Sequence, residues 1–174
     1  MPLTALVAVV AFFAVRPDDD TPAAAPSPSP SASPAPRSTA PVQMAAPALS
    51  ERAAVVCRAL LSQLPNAVRD LRQRPVTAGS EQNAAYGDPA ITVACGVPPT
   101  SYPPTDWVYP LNRVCWHSAQ RAGATVWTTV DREVPVQVTV PGSYDQPGQW
   151  TLAFSDPVVA SVPSIKDVPT GCTD

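Results

Sequence analysis

A run of proline restricts where this chain can fold. Residues 21–47 read TPAAAPSPSPSASPAPRSTAPVQMAAP and hold eight of the 24 prolines in the 174-residue chain. Proline lacks an N–H and fixes φ, so alternating Ser-Pro and Ala-Pro cannot build a helix or a sheet ladder. The pattern predicts a Pro/Ser/Ala-rich linker over residues 17–47, which would extend up to roughly 80 Å as a polyproline-like coil. The alternative is plain disorder with no spacing role.

The segment before the linker is apolar. Residues 1–15 read MPLTALVAVVAFFAV, and Arg16, Pro17 and three aspartates follow. As a helix at about 1.5 Å per residue this run spans roughly 22 Å, against about 30 Å of hydrocarbon. We interpret residues 1–16 as a signal or membrane-anchor helix that meets the membrane through residues 1–15. Pro26 directly follows an Ala triplet and disfavours cleavage by a signal peptidase there, so we favour a membrane anchor. This anchor would reach the full length of a membrane span if its start lay upstream of Met1. A removed secretory signal and a buried helix are the alternatives.

The cysteines indicate disulfide bonds in an oxidising compartment. They form no CxxC pair, His117 is the only histidine, and a zinc site needs paired Cys/His ligands at short spacing. We therefore predict no metal ligands and two disulfides among Cys57, Cys95, Cys115 and Cys172. The predicted localisation is the cell membrane, single-pass with the domain outside, or secretion as the alternative. A net charge of −3 gives no reason to expect a nucleic-acid partner.

One helix opens the folded region predicted over residues 48–174. Ser50 is a suitable N-cap, Glu51 suits the positive end of the helix dipole, and Pro65 ends the element. Apolar residues recur at helical spacing and predict a helix over 49–64; they are Ala53, Val56, Cys57, Leu60, Leu61 and Leu64. Residues 66–74 carry Arg69, Arg72 and Arg74 beside Asp70. They are interpreted as a solvated short helix or loop, with a phosphate or anionic-lipid contact as the alternative.

Strand patterns follow from Pro89. The segments PAITVACGVPP, 107–109, 113–117, 124–130 and 133–140 are rich in β-branched or alternating residues between Pro and Gly turns. In the last segment valine alternates with other residues, and Pro135 indicates an edge strand or a bulge. A short helix is expected at 156–162, residues 150–154 are unassigned, and the tail is a loop held by Cys172. The predicted fold class is α+β, with the N-terminal helix packed on a small, mostly antiparallel sheet.

No motif in the chain predicts an active site. The patterns GxSxG, GxGxxG, HExxH and the P-loop do not occur. The acid-base-acid cluster Asp131-Arg132-Glu133 falls between two strands, so we interpret it as a solvated hairpin connection. A hydrolase would need Asp88, His117 or Asp131 within hydrogen-bond reach of one another. Core positions are expected for the aromatic residues of the strands, which are Trp107, Tyr109, Trp116 and Trp127.

The order of several segments resembles a known family. These are CRALLSQLP, YGDPAITVACGVP, VCW, WTTVDREVPVQVTVP and SDPVVASVP, within residues 50–163. They are similar to DUF3515, a family of small actinobacterial membrane-anchored proteins of unknown function. The resemblance implies an extracytoplasmic α+β domain and no established activity, cofactor or catalytic residue.

The resemblance also bears on the cysteine pairing, for which four cysteines allow three connectivities. Family members typically have the cysteines that match Cys57 and Cys95. Cys57 lies on the apolar helix face and Cys95 ends the first strand, whereas Cys172 lies in the tail. We therefore predict Cys57–Cys95 and Cys115–Cys172.

The predicted function is a non-enzymatic, anchored envelope protein with an interaction or structural role and an unidentified protein partner. A domain that binds a small ligand or a cell-wall fragment is the alternative, and a hydrolase is the third candidate.

Overall fold

The computed structural model describes residues 38–172, so the expectations for residues 1–37 lie outside it. The helices are α1 (Glu51–Gln63), α2 (Pro147–Thr151) and α3 (Ser155–Ser161), with a 3₁₀ turn at Leu152–Phe154. The strands are β1 (Ala67–Val68), β2 (Leu71–Arg74), β3 (Asn83–Tyr86), β4 (Ile91–Cys95), β5 (Val108–Leu111), β6 (Val114–Arg121), β7 (Ala124–Thr129) and β8 (Val136–Pro141).

The strands form one eight-stranded sheet in the order β1-β2-β3-β4-β8-β7-β6-β5. Two meanders, β1 to β4 and β5 to β8, join where β4 pairs with β8. All neighbouring strands are antiparallel. The predicted α+β class is consistent with this architecture, although the sheet is larger than the small one expected.

The hydrophobic core lies between one face of this sheet and the helices. In β4 and β8 alternate residues are fully buried on this face; they are Ile91, Val93, Cys95, Val136, Val138 and Val140. Helices α1 and α3 contact each other, and the Trp116 indole N–H lies 3.4 Å from the Ser155 hydroxyl. The alternation of valine with other residues in β8 predicted correctly which of its side chains are buried.

Helix α1 forms for the reasons visible in its sequence. The Ser50 side chain accepts a hydrogen bond from the Ala53 N–H at 3.2 Å, which caps the N-terminus. Val56, Cys57 and Leu60 face the core. The apolar face and the cap predicted from sequence are confirmed.

The disulfides pair as predicted. Cys57–Cys95 joins α1 to β4 with Cα atoms 5.5 Å apart, and Cys115–Cys172 joins β6 to the tail with Cα atoms 5.4 Å apart. They close loops with sequence separations of 38 and 57, each worth about 4 kcal/mol in the chain-entropy model. The first bridge links the helix layer to the sheet, and the second fixes the tail.

Two predictions of local structure are wrong. Residues 66–74 are not a solvated helix or loop, because Val68 and Leu71 are buried and Arg69 adopts a positive φ of 54° in the turn between β1 and β2. Of the two alternatives that Pro135 indicated, the edge strand is wrong, since β8 pairs with β4 on one side and β7 on the other, and the bulge stays a prediction. Pro135 precedes this strand, and its carbonyl accepts the Gly96 N–H at 2.9 Å.

The aromatic residues divide between the core and the surface. Trp116 and Trp127 are buried as expected, whereas Trp107 is 80% exposed and Tyr109 is partly exposed at the β5 edge. The Tyr109 ring meets Trp127 edge-on at 5.3 Å. Among residues 38–172, no helix is long and apolar enough to cross a membrane.

Candidate functional site

The second face of the sheet carries a row of aligned residues across five strands. Through the strand registers, Asn83 is opposite Ala94, Ala94 opposite Gln137, Gln137 opposite Thr128, and Thr128 opposite His117. The Gln137 amide lies 3.5 Å from the Thr128 hydroxyl. Four of the five residues are polar, in contrast to the valine-rich face below. This face therefore presents hydrogen-bonding groups on a rigid platform.

A loop covers the His117 end of the row. The Tyr102 ring stacks on the His117 ring at 4.4 Å, and Asp106 Oδ2 lies 3.1 Å from His117 Nε2. Burial raises the pKa of the Tyr102 phenol. Only 6% of His117 is exposed. The histidine therefore holds the loop between β4 and β5 on the sheet.

Residues 38–47, which we call the strap, cover the Asn83 end. Val42 pairs with Val76 as a parallel bridge, and the Met44 N–H donates to the Thr77 hydroxyl at 3.2 Å. Arg74 donates to the carbonyls of Ala40 and Gly87. These residues belong to the stretch predicted as linker, and here they pack on the domain.

Two neighbouring carboxamides hold the strap. The Asn83 amide nitrogen donates to the carbonyls of Ala45 at 2.9 Å and Ala78 at 3.1 Å. The Gln82 amide nitrogen donates to the Pro47 carbonyl at 3.2 Å. Both side chains are buried. Both nitrogens already donate to backbone carbonyls, so the oxygen of each carboxamide is the group that can accept a further hydrogen bond.

A cavity of about 320 Å³ lies between the strap and the sheet, and we call it the strap pocket. Thr92, Ala94 and Gln137 belong to its floor on the sheet, and Val97 and Pro98 of the segment after β4 also line it. Its full lining is Gln43, Met44, Ala45, Pro47, Gln82, Asn83, Thr92, Ala94, Cys95, Gly96, Val97, Pro98 and Gln137. No ionisable group is present in this set, because Cys95 is in a disulfide. The pocket is therefore neutral and relies on amide groups for polar recognition.

The residues considered for hydrolysis lie in separate surroundings. Asp88 accepts from the Ser38 N–H at 3.0 Å and lies 3.6 Å from Arg74, so it fixes the start of the strap. His117 lies on β6, with three strands between β6 and β3. Within the described residues no hydrogen bond or ion pair joins any two of Asp88, His117 and Asp131. These three side chains therefore do not form a hydrogen-bonded set within residues 38–172.

Asp131 lies in the connection between β7 and β8 as predicted, but it is buried rather than solvated. Its Oδ2 accepts the Cys115 N–H at 3.0 Å, and its Oδ1 lies 3.3 Å from Arg132 Nε without hydrogen-bond alignment. Its backbone carbonyl accepts the Ile165 N–H at 2.9 Å. Burial raises the pKa of this carboxyl, against the opposing effects of the Cys115 N–H and the Arg132 guanidinium. These contacts fix the tail, which is a structural role.

The other two members of the cluster also bind distant elements. Arg132 donates to the Val162 carbonyl at 3.3 Å and to the Arg113 carbonyl. Glu133 forms a two-point ion pair with Arg52 of α1 at 2.8 and 2.9 Å. This pair lowers the pKa of Glu133, chiefly through the hydrogen bond from Arg52.

Sequence reasoning missed the strap and the two carboxamides. Gln82 and Asn83 precede the β3 alanines without any recognisable motif, and the strap carries the proline typical of the linker. The dipeptide Val42-Gln43 is the only local hint of a strand in that stretch, and it is too short to predict one. Within residues 38–172, no cluster of three or more His, Cys, Asp or Glu residues could hold a metal ion.

Comparison with known proteins yields one match. The family model of DUF3515, described as a protein of unknown function, matches residues 1–166. No curated protein and no solved structure matches the chain. Since the matched range covers most of the sequence, the chain belongs to DUF3515.

Proposed function

We propose that this protein is a non-enzymatic envelope protein, anchored through residues 1–15, whose extracytoplasmic domain binds a protein partner at the strap pocket. The observation that carries the proposal is the pocket itself. It is a concave, neutral site on two central strands, with amide acceptors held in place by the strap. Such a cavity with a few oriented polar groups is the usual form of a binding site.

The disulfides support a position outside the cytoplasm. All four cysteines are paired, and structural disulfides persist in oxidising compartments. The apolar segment 1–15 and the Pro-rich linker would then hold the domain at the membrane surface. Protease added to intact cells should remove the domain. A domain that is protected in intact cells yet cut after lysis would contradict this topology.

The ionisable residues support a role without catalysis. Asp88, His117, Asp131 and Glu133 each bind a segment of the same domain. A general base must reach a substrate in the site, whereas the strap pocket is lined by neutral side chains.

The proposal is tested by cross-linking in the living cell. A photoreactive amino acid replaces Thr92 on the pocket floor, and the control carries it at Thr139, the paired residue on β8 outside the pocket lining. We expect one partner, identified by mass spectrometry, to be captured from position 92 and not from 139. Equal capture from both positions, or no protein captured from position 92, would refute a protein-binding role for the pocket.

A small ligand or a cell-wall fragment is the second candidate. The pocket volume of about 320 Å³ falls at the lower end of the range for small-molecule sites, roughly 300–1,000 Å³. Native mass spectrometry of the protein purified from its own membranes would detect a retained small molecule, and its loss in a pocket variant would favour this candidate.

A further inference from the structure

We infer that the strap pocket recognises an extended, uncharged peptide segment that donates backbone N–H groups to the side-chain oxygens of Asn83 and Gln82. This inference rests on the proposed function and specifies the chemistry of the partner. Its basis is a neutral lining in which two carboxamides donate through their nitrogens, while their oxygens accept no hydrogen bond from residues 38–172.

Two carboxamide oxygens of the pocket lining are available as hydrogen-bond acceptors. Asn83 is 3% exposed, and its nitrogen makes two hydrogen bonds to backbone carbonyls while its oxygen accepts none from residues 38–172. The Gln82 oxygen is in the same state, since only its nitrogen is bound. Neither oxygen is among the fully buried polar atoms that lack a partner in residues 38–172, so both remain accessible to a ligand with N–H donors.

Charge is excluded by the same lining. The pocket walls offer apolar surface and carboxamides, with no Asp, Glu, Lys, Arg or His among the lining residues. A charged side chain entering it would lose hydration without gaining an ion partner, which is strongly unfavourable. The partner segment should therefore be uncharged where it enters the pocket.

The lining favours an extended chain over a flat ring. Ala94 and Thr92 carry small side chains that leave room above the sheet, and Pro47 and Pro98 also line the pocket. The lining includes no aromatic residue, so a sugar ring or a base would find no stacking surface. An extended backbone supplies N–H donors at regular intervals.

The inference is tested with the full-length protein in detergent and an immobilised library of ten-residue peptides. The library contains neutral sequences, the same sequences with a central Asp or Lys, and neutral sequences with single backbone N-methyl groups. A chitin oligosaccharide serves as the carbohydrate probe. We expect neutral peptides to bind and a central charge to weaken binding about tenfold or more. N-methylation at one or two positions should weaken it about fivefold, because each removes one N–H donor.

Variants then locate the binding site. Thr92→Trp fills the pocket floor and should weaken peptide binding about tenfold or more. Thr139→Trp, on the same sheet face outside the lining, should leave binding unchanged. Circular dichroism and thermal unfolding check that both variants fold, and Ala94→Trp replaces Thr92→Trp if the latter does not.

The opposite results overturn the inference. For the peptides, these results are equal binding of charged and neutral sequences, undiminished binding of N-methylated sequences, or no binding at about 1 mM, the weak end of measurable affinity. Peptide binding by the Thr92→Trp variant, or binding of the oligosaccharide alone, would also overturn it. If the photoreactive residue at position 92 still captures a partner in cells, the peptide chemistry is wrong and the protein-binding role stands. If capture also fails, both are wrong.

Discussion

Single residues in this domain are constrained by contacts that are distant in sequence, and Gly96 is one example. It has a φ of +77° directly after the disulfide residue Cys95. A Cβ atom there would overlap Cδ2 of Leu49 and approach Sγ of Cys57 at 3.5 Å. Glycine is therefore needed both for its backbone conformation and for the close approach of the helix entry.

We expect Gly96→Ala to lower the free energy of unfolding by roughly 2–4 kcal/mol, the sum of left-handed strain and overpacking. Gly123→Ala is the matched control, since Gly123 has a φ of +73° with no atom within 4 Å of an added Cβ. That control should lose only about 1–2 kcal/mol from backbone strain. Urea unfolding of both variants measures the difference. Equal losses would mean that the contact with Leu49 is not restrictive.

Asp131 gives a prediction of pH dependence with a defined sign. Burial raises its folded-state pKa above the usual 3.8. The folded protein then binds this proton more tightly than the unfolded chain does. The contribution of Asp131 to the free energy of unfolding therefore falls as pH rises from about 3.8 to the raised pKa, and it is constant at higher pH. The difference in stability between wild type and Asp131→Asn should fall across that window.

Glu133 supplies a control of opposite sign. Its pKa is lowered from 4.5 by Arg52, so its contribution is present above that value and is lost as pH falls through the lowered pKa. The stability difference between wild type and Glu133→Gln should therefore rise with pH. Denaturant titrations from acid to neutral pH measure both differences. Slopes of the same sign would contradict this assignment.

At the scale of elements, β5 shows how the sheet ends. The Cys115 carbonyl accepts the Val130 N–H and the Cys115 N–H donates to Asp131, so both groups point away from β5. Pro110 is opposite Cys115, so its nitrogen and carbonyl face the free edge. Proline at this position removes one donor from the exposed edge, which limits pairing with another chain.

Pro110→Thr should restore that donor and promote association through the β5 edge. Trp107 and Tyr109, which precede this position in the chain, have exposed side chains that would add apolar contact. We expect a concentration-dependent dimer or larger species by analytical ultracentrifugation, while wild type stays unchanged under the same conditions. Thr100→Pro in the preceding loop controls for a general effect of proline content. A Pro110→Thr protein with wild-type sedimentation would show that proline does not protect this edge.

At the scale of the whole molecule, the strap is the part of the predicted linker that packs on the sheet. Its backbone bonds to Pro75 and Thr77, and the side chains of Arg74, Gln82 and Asn83 bind its carbonyls. Of these residues, Gln82 and Asn83 also line the strap pocket, together with Gln43, Met44, Ala45 and Pro47 of the strap. The strap is therefore a wall of the candidate site as well as a part of the fold.

A chain that starts at Ala48 should be less stable than one that starts at Ser38. It lacks at least five hydrogen bonds to the strap. Each contributes about 1 kcal/mol, and ordering the strap costs part of that sum, so the free energy of unfolding should fall by roughly 2–4 kcal/mol. Thermal unfolding compares the two chains, and hydrogen exchange should show faster exchange near Asn83 in the shorter one. Equal stability would mean that the strap is not part of the cooperative unit.

The sequence alone determined the features that depend on local pattern. The period and cap of α1, the alternation in β8 and the short helix α3 follow from spacing that a single segment carries. The cysteine count and the family resemblance were enough to predict the pairing, because Cys57 lies on a buried helix face and Cys95 ends a strand. The α+β class followed from the order of these patterns.

The tertiary structure decided whatever depends on contacts between distant segments. The position of β8 in the centre of the sheet is set by its partners and not by Pro135. Asp131 has the composition of a solvated turn, but the tail fixed by Cys172 covers it. The strap pocket requires segments some 40–90 residues apart to meet, and the strap carbonyls orient the carboxamides of Gln82 and Asn83 by accepting from their nitrogens. Side-chain hydrogen bonds between remote residues leave no local period, so this site was visible only once the chain had folded.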